Sequence, residues 1–169
     1  MRKGAVCLGL LAAVGVAAGV VAREDRKGGH GKGAGGHVVR PDQVKWGPAP
    51  PALPPGAQAV VLAGDPRRKG AAYTVRLKLP DGYTVPPHWH PVDENVTVLQ
   101  GALLMGRGEK FDPGAAEEVS AGGFSHMPRG VRHFARAKGA TVIQVHGVGP
   151  FEIHYVNPAD DPRKRDGRK

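Results

Sequence analysis

One short stretch of the chain, residues 82–101, combines two histidines and a glutamate at close spacing. His88 and His90 lie two positions apart, so on a β-strand both imidazoles point to the same side. Glu94 follows after a proline-containing bend at 91–93 and adds a carboxylate. Imidazole and carboxylate groups that converge in this way can bind a first-row transition metal. A pair of surface histidines is the alternative that this spacing alone leaves open.

Two longer patterns surround and follow these residues. The first is Gly, five residues, His-x-His, three residues, Glu, six residues, Gly, and it is met by Gly82, His88, His90, Glu94 and Gly101. The second is Gly, five residues, Pro-x-Gly, two residues, His, three residues, Asn, and it is met by Gly122, Pro128, Gly130 and His133, with Ala137 in place of Asn. With both patterns present within about residues 57–156, the chain resembles the cupin superfamily. The stretches at 62–66 and 149–160 are similar, in particular, to those of small exported bacterial cupins of unassigned function.

The cupin resemblance implies both a fold and a set of metal ligands. The fold is a double-stranded β-helix, a small jelly-roll barrel of antiparallel strands. In such barrels the histidines and the glutamate of the two patterns bind one metal, which here implies His88, His90, Glu94 and His133. Three neutral imidazoles and one carboxylate suit a divalent Fe, Mn, Cu, Ni or Zn ion better than Ca or Mg. These four ligands leave open positions on a six-coordinate ion but close the shell of four-coordinate Zn. The identity of the metal therefore decides between a catalytic and a structural or sensing site, and the sequence leaves that identity open.

The hydrophobic pattern also predicts an all-β domain. Tyr73–Leu79 alternates apolar and polar residues, which is typical of a half-buried strand. Further short strands are predicted at 59–62, 85–90, 95–99, 102–105, 117–119, 124–127, 133–137, 141–146 and 151–156. Turns rich in Gly and Pro separate many of these strands, and no segment shows the sustained apolar period of a helix. We therefore expect one cupin barrel over residues 57–156.

A few other polar residues have two interpretations. Gln144 and His146 share one face of the strand predicted at 141–146. If that face points inward, they line the ligand pocket; if the intervening apolar residues face the core, both point towards solvent. His126 and His154 are expected to lie outside the ligand set. Glu94 is the one candidate catalytic residue, as a base that leaves the metal, and the catalytic residues are otherwise unknown.

The first segment outside the barrel predicts export. Residues 1–22 begin with basic residues, continue as an uncharged apolar run and end in a small-residue cleavage site, as in a secretory signal peptide. An uncleaved membrane anchor is the alternative. A flexible Gly-rich linker at 23–37, a Pro-rich extended arm at 38–56 and a solvated basic tail at 157–169 complete the organisation. We expect a periplasmic or extracellular protein without stable membrane insertion after cleavage. Cys7, the only cysteine, would leave with the signal.

Charge and composition indicate which kinds of partner the protein binds. The net charge is +9 at pH 7, but basic residues are concentrated near the ends and only 5% of residues are aromatic, which disfavours a nucleic-acid partner. A small-molecule ligand or substrate is expected, and the cupin resemblance is compatible with a homodimer. The first functional hypothesis is a metal-dependent enzyme, dioxygenase-like by analogy with the family. The alternative is a non-catalytic metal-binding or ligand-sensing module.

Overall fold

The computed structural model describes residues 36–165. Within this range the chain forms nine strands, with only short helical turns beside them: β1 Gly47–Pro48, β2 Gln58–Gly64, β3 Ala72–Leu79, β4 Thr84–Trp89, β5 Glu94–Arg107, β6 Glu117–Ser120, β7 Phe124–Met127, β8 His133–Val148 and β9 His154–Tyr155. The predicted signal peptide and most of the predicted linker lie outside the described residues. No helix in residues 36–165 is long and apolar enough to cross a bilayer.

All strand pairs are antiparallel, and β8 is at the centre of the pairing. It pairs with β3, β4 and β5, while β5 also pairs with β6 and β7. The sheet curls into a cupin-like jelly roll, which confirms the predicted all-β fold. Its core contains side chains with almost no exposed surface, among them Val98, Leu103 and Phe134.

The two longest strands differ from the sequence prediction in their continuity. Strands predicted at 95–99 and 102–105 are parts of β5, and those predicted at 133–137 and 141–146 are parts of β8. Gly101 (φ 73°) and Gly139 (φ 74°) lie at the predicted breaks. Because glycine adopts positive φ without a steric penalty, each strand continues through this residue. The β5–β8 register shifts around Gln100, and the segments on both sides stay paired. A Cβ on Gly101 would lie 2.5 Å from the carbonyl oxygen of Ala140.

The Pro-rich arm is attached to the barrel by two tyrosine hydroxyls. The Tyr83 hydroxyl donates to the carbonyl oxygen of Pro54 at 2.5 Å, and the Tyr155 hydroxyl donates to that of Ala52 at 2.7 Å. Both tyrosines belong to the hydrophobic core cluster. The arm also pairs with β2 through the short strand β1. Since proline leaves the rest of the arm with few backbone donors, the two tyrosine hydroxyls hold the part around Ala52 and Pro54.

The beginning of the predicted C-terminal tail also differs from the sequence expectation of a solvated segment. Short helical turns occupy Pro158–Asp160 and Pro162–Arg165. The Arg163 guanidinium donates to both carboxylate oxygens of Asp161 and, at 3.0 Å, to the carbonyl oxygen of Ile153. Asp161 is buried. The paired charges allow this basic segment to pack on the barrel, which composition alone does not indicate.

Candidate metal centre

Three histidines from the barrel interior converge on one point. His88 lies on β4, His90 follows the end of that strand, and His133 opens β8 directly opposite His88 in the strand register. One ring nitrogen from each histidine lies within 4.8 Å of those of the other two. All three side chains are buried. The alternation of β4 turns His88 and His90 to the same side, as the sequence predicts.

Glu94, at the start of β5, joins this cluster. Its Oε1 lies 3.6 Å from Nε2 of His90 and its Oε2 lies 3.2 Å from Nε2 of His133. The carboxylate is buried, with the residue 8% exposed. The structure thus brings together all four residues that the cupin patterns single out, and we define His88, His90, Glu94 and His133 as the histidine–glutamate cluster.

Backbone carbonyls fix the orientation of each imidazole. Nδ1 of His88 bonds the carbonyl oxygen of Pro86 at 2.8 Å, and Nδ1 of His133 bonds that of Val131 at 3.0 Å. Nδ1 of His90 bonds the carbonyl oxygen of Glu152 at 2.6 Å. A carbonyl oxygen can only accept, so each Nδ1 carries the proton and a neutral ring has its lone pair on Nε2. The lone pair is the part of an imidazole that binds a metal.

The electrostatics of the cluster keep most of its ligands in their metal-binding protonation states. Burial, with a smaller effect of His133, lowers the pKa of His88 to about 3, and burial also lowers the pKa of His90. Burial opposes ionisation of Glu94, but its hydrogen-bonding contact with His133, helped by the electrostatic effect of the neighbouring imidazoles, outweighs burial and lowers its pKa to about 2. Burial lowers the pKa of His133, but the contact with Glu94 acts in the opposite direction, and the pKa of His133 is raised overall. Glu94 is therefore an anion at neutral pH, and His88 and His90 are neutral.

The cluster lies in a small chamber with otherwise apolar walls. The chamber volume is about 50 Å³, and Leu79, Val96, Leu103 and Met105 are among the residues that enclose it. Phe151 stacks on His90 with ring centroids 4.4 Å apart. Phe151 cannot be assigned to the site from the sequence, because it lies far along the chain from His90 and no spacing rule connects the two.

The cluster fits a first-row transition metal by two observations. First, the Nε2 atoms of His90 and His133 are buried and form no hydrogen bond of good geometry, and an unpaired buried polar atom is costly. A cation between the rings would satisfy both atoms. Second, three imidazole nitrogens and one carboxylate are the donors that Fe, Mn, Cu, Ni and Zn favour over Ca and Mg.

The other polar residues considered from the sequence lie elsewhere. Ile143 and Val145 are buried, and the alternating residues Gln144 and His146 are half-buried on the other face of β8. Gln144 accepts a hydrogen bond from Arg76 there, and neither it nor His146 lines the chamber. Of the two interpretations, the structure therefore supports the one in which the apolar pair faces the core.

The two remaining histidines of the barrel are engaged outside the chamber. His126 is exposed and contacts the Asn95 side chain at 3.1 Å. His154 stacks on Trp89 and contacts the Glu152 carboxylate.

Ala137, which stands in place of the usual Asn, is 2% exposed and belongs to the hydrophobic core cluster. The missing amide therefore leaves the four clustered side chains in place.

Comparison with known proteins assigns the chain to a family. Residues 37–167 match the family described as Domain of unknown function (DUF4437). The chain belongs to the DUF4437 family. No functionally curated protein matches this DUF4437 chain in sequence.

Solved structures similar to the DUF4437 domain have cupin or related folds. A candidate acetylacetone dioxygenase from Methylibium petroleiphilum PM1 is 22% identical with a TM-score of 0.57, over 76% of this chain and 85% of that one. The polyketide cyclase RemF from Streptomyces resistomycificus is 20% identical with a TM-score of 0.57, over 78% and 92%. KdgF from Halomonas sp. is 22% identical with a TM-score of 0.51, over 68% and 96%. At these identities the likeness concerns the fold.

Proposed function

We propose that this protein is a metal-dependent enzyme that acts on a small organic molecule, with dioxygenase-like oxidation as the reaction class. The observation that carries the proposal is the histidine–glutamate cluster itself: three oriented imidazoles and an ionised carboxylate converge in a buried chamber. A barrel can fold around apolar side chains alone, so four inward polar groups are costly unless a bound group pairs them.

The four cluster residues would hold one divalent Fe, Mn, Cu, Ni or Zn ion. Such an ion, when bound, polarises a substrate oxygen or activates dioxygen or water. The rings of His88, His90 and His133 are fixed by backbone carbonyls, so they need little reorganisation to receive it. Glu94 supplies the anionic oxygen, and because its pKa is lowered to about 2 it acts here as a ligand and not as a base. The apolar walls of the chamber restrict water around these groups.

The oxidation class is proposed by analogy with the Methylibium neighbour, which its name describes as a candidate acetylacetone dioxygenase. That protein shares the fold, and the present chain offers a donor set suited to redox-active iron, manganese or copper. Export to the periplasm or the cell exterior, expected from residues 1–22, is part of the same proposal.

The function is tested by oxygen uptake and ligand binding with defined metals. The full chain is stripped, reloaded separately with Fe²⁺, Mn²⁺, Cu²⁺, Ni²⁺ and Zn²⁺, and assayed with β-diketones and catechols. We expect oxygen consumption with at least one redox-active metal, and azide binding seen as a spectral shift. His88→Ala should lose both, whereas His126→Ala, with its exposed imidazole outside the cluster, should keep both. A protein that binds no azide with any metal and unfolds when stripped would instead favour a structural or sensing role.

A further inference from the structure

A second, larger cavity adjoins the histidine–glutamate chamber. Its volume is about 610 Å³, which is in the range of small-molecule sites, whereas the chamber of about 50 Å³ has room for an ion and a few ligand atoms. The two cavities share the side chains of Leu53, Leu77, Phe151 and Ile153 in their walls. We call this larger space the outer cavity.

The outer cavity is built in part from segments that the sequence predicts to lie outside the barrel. Leu53 comes from the Pro-rich arm and Arg163 from the predicted tail. The arm is held by the Tyr155 hydroxyl, and Arg163 is held by the carbonyl oxygen of Ile153. These contacts hold Leu53 and Arg163 in the wall of the outer cavity.

The apolar lining continues onto the strands. Val61 on β2, Val75 on β3 and Val145 on β8 face the cavity and are register partners across neighbouring strands. Val61 is 51% exposed, although it lies in the middle of a strand. Val75 and Leu77 are half-buried, although their alternation predicts core positions. Their exposure follows from the cavity, since they face an unfilled space where packed core would otherwise lie.

Each ionisable side chain that lines the outer cavity among the described residues already has a polar partner. Arg67 contacts Asp65 at 3.1 Å, Arg163 contacts Asp161 at 2.8 Å, and His154 contacts Glu152 at 3.1 Å. A phosphate or a free carboxylate would have to compete with these intramolecular partners. The wall therefore favours a ligand portion without charge.

We propose that the outer cavity binds the uncharged apolar body of the substrate, an alkyl or aromatic group, while the oxygen-bearing end of the same molecule reaches the histidine–glutamate cluster past Phe151 and Ile153. This inference rests on the proposed function of the cluster and adds the substrate class to it. The sizes of the two cavities determine which part of the substrate each one holds. The small chamber accommodates the chelating end, and the larger outer cavity accommodates the remainder.

The test uses catechol and a series of 4-alkylcatechols with the iron-loaded full chain, followed by the catecholate absorption band. A fully buried methylene increases affinity about fourfold, so we expect dissociation constants to fall severalfold over the first few added carbons. Val61→Trp places an indole in the outer cavity and should strongly reduce this dependence on chain length, with its iron content reporting whether the chamber is intact. The matched control is Val148→Trp, at an equally exposed valine (54%) that does not line the cavity.

Two results would overturn the inference: affinities that do not rise with chain length in the unmodified protein, or a rise that is equally steep in Val61→Trp. Failure of the proposed function gives a different result, namely no catechol binding with any metal. In that case the uncharged dye N-phenyl-1-naphthylamine tests the outer cavity in the metal-free protein. Fluorescence enhancement by the unmodified chain that Val61→Trp removes would support an apolar ligand site, and equal enhancement in both would refute it.

Discussion

Replacing Phe151 by leucine should weaken both the fold and the metal site. The Phe151 ring stacks on His90 at 4.4 Å and packs against Tyr73 at 5.5 Å. An aromatic pair contributes about 0.5–1.5 kcal/mol beyond its buried area, so the loss of two pairs predicts a decrease of about 1–3 kcal/mol in the free energy of unfolding. Removing the ring also frees His90 to reorient. Loss of a contact that orients a metal ligand typically lowers metal affinity about 10- to 100-fold, and we expect the lower end because the His90–Glu152 hydrogen bond remains.

Urea unfolding of the metal-free protein and competition titration with Zn²⁺ measure the two effects separately. Phe111→Leu is the matched control, because the Phe111 ring contacts Phe134 at 4.9 Å and does not line the chamber. It should lose about 0.5–1.5 kcal/mol with a zinc affinity within about twofold of the unmodified protein. If Phe151→Leu and Phe111→Leu had the same zinc affinity, the argument that Phe151 positions His90 would be refuted.

Three further predictions concern the arm, a strand bend and the N-terminus. Tyr155→Phe removes the donor to Ala52 and should lower the free energy of unfolding by about 1 kcal/mol; an unchanged urea midpoint would contradict the role of this bond. Gly101→Ala places a Cβ 2.5 Å from a carbonyl oxygen and should cost about 2 kcal/mol or more, because the clash adds to the cost of a positive φ. Gly139→Ala, with a similar positive φ and no atom close to the added Cβ, should cost only about 1–2 kcal/mol. If the two variants lost the same free energy of unfolding, the clash at Gly101 would be refuted. Mass spectrometry of the exported protein should find a mature N-terminus near Arg23, and a membrane-bound product that retains residues 1–22 would contradict cleavage.

The sequence predicts the fold and the four clustered residues well because both depend on local or strongly patterned signals. Strand alternation places His88 and His90 on one side, and the cupin patterns connect them with His133, which lies opposite His88 in the barrel. Glu94 follows the same pattern. These predictions need only strand geometry and a family-specific spacing.

What the sequence does not predict depends on contacts between distant segments. The stacking of Phe151 on His90 joins residues more than 60 positions apart. Proline content predicts an extended arm, but not that Tyr155 holds it on the barrel. Likewise, a basic composition suggests a solvated tail, whereas Arg163 finds Asp161 and the carbonyl oxygen of Ile153. Leu53, Phe151 and Arg163 line the outer cavity together with strand residues. Part of its wall therefore depends on these long-range contacts, which the sequence does not predict.

Metal stoichiometry and coordination test the central claim most directly. The full chain is loaded with a first-row metal, passed over a desalting column, and measured by elemental analysis and X-ray absorption. We predict one ion per chain with three nitrogen ligands and one oxygen ligand from the protein, and with metal–nitrogen distances of about 2.0–2.1 Å. His88→Ala and His133→Ala should lose most of the ion, and His154→Ala should retain it. An unmodified protein that holds no stoichiometric metal, or histidine variants of the cluster that bind it undiminished, would contradict the account.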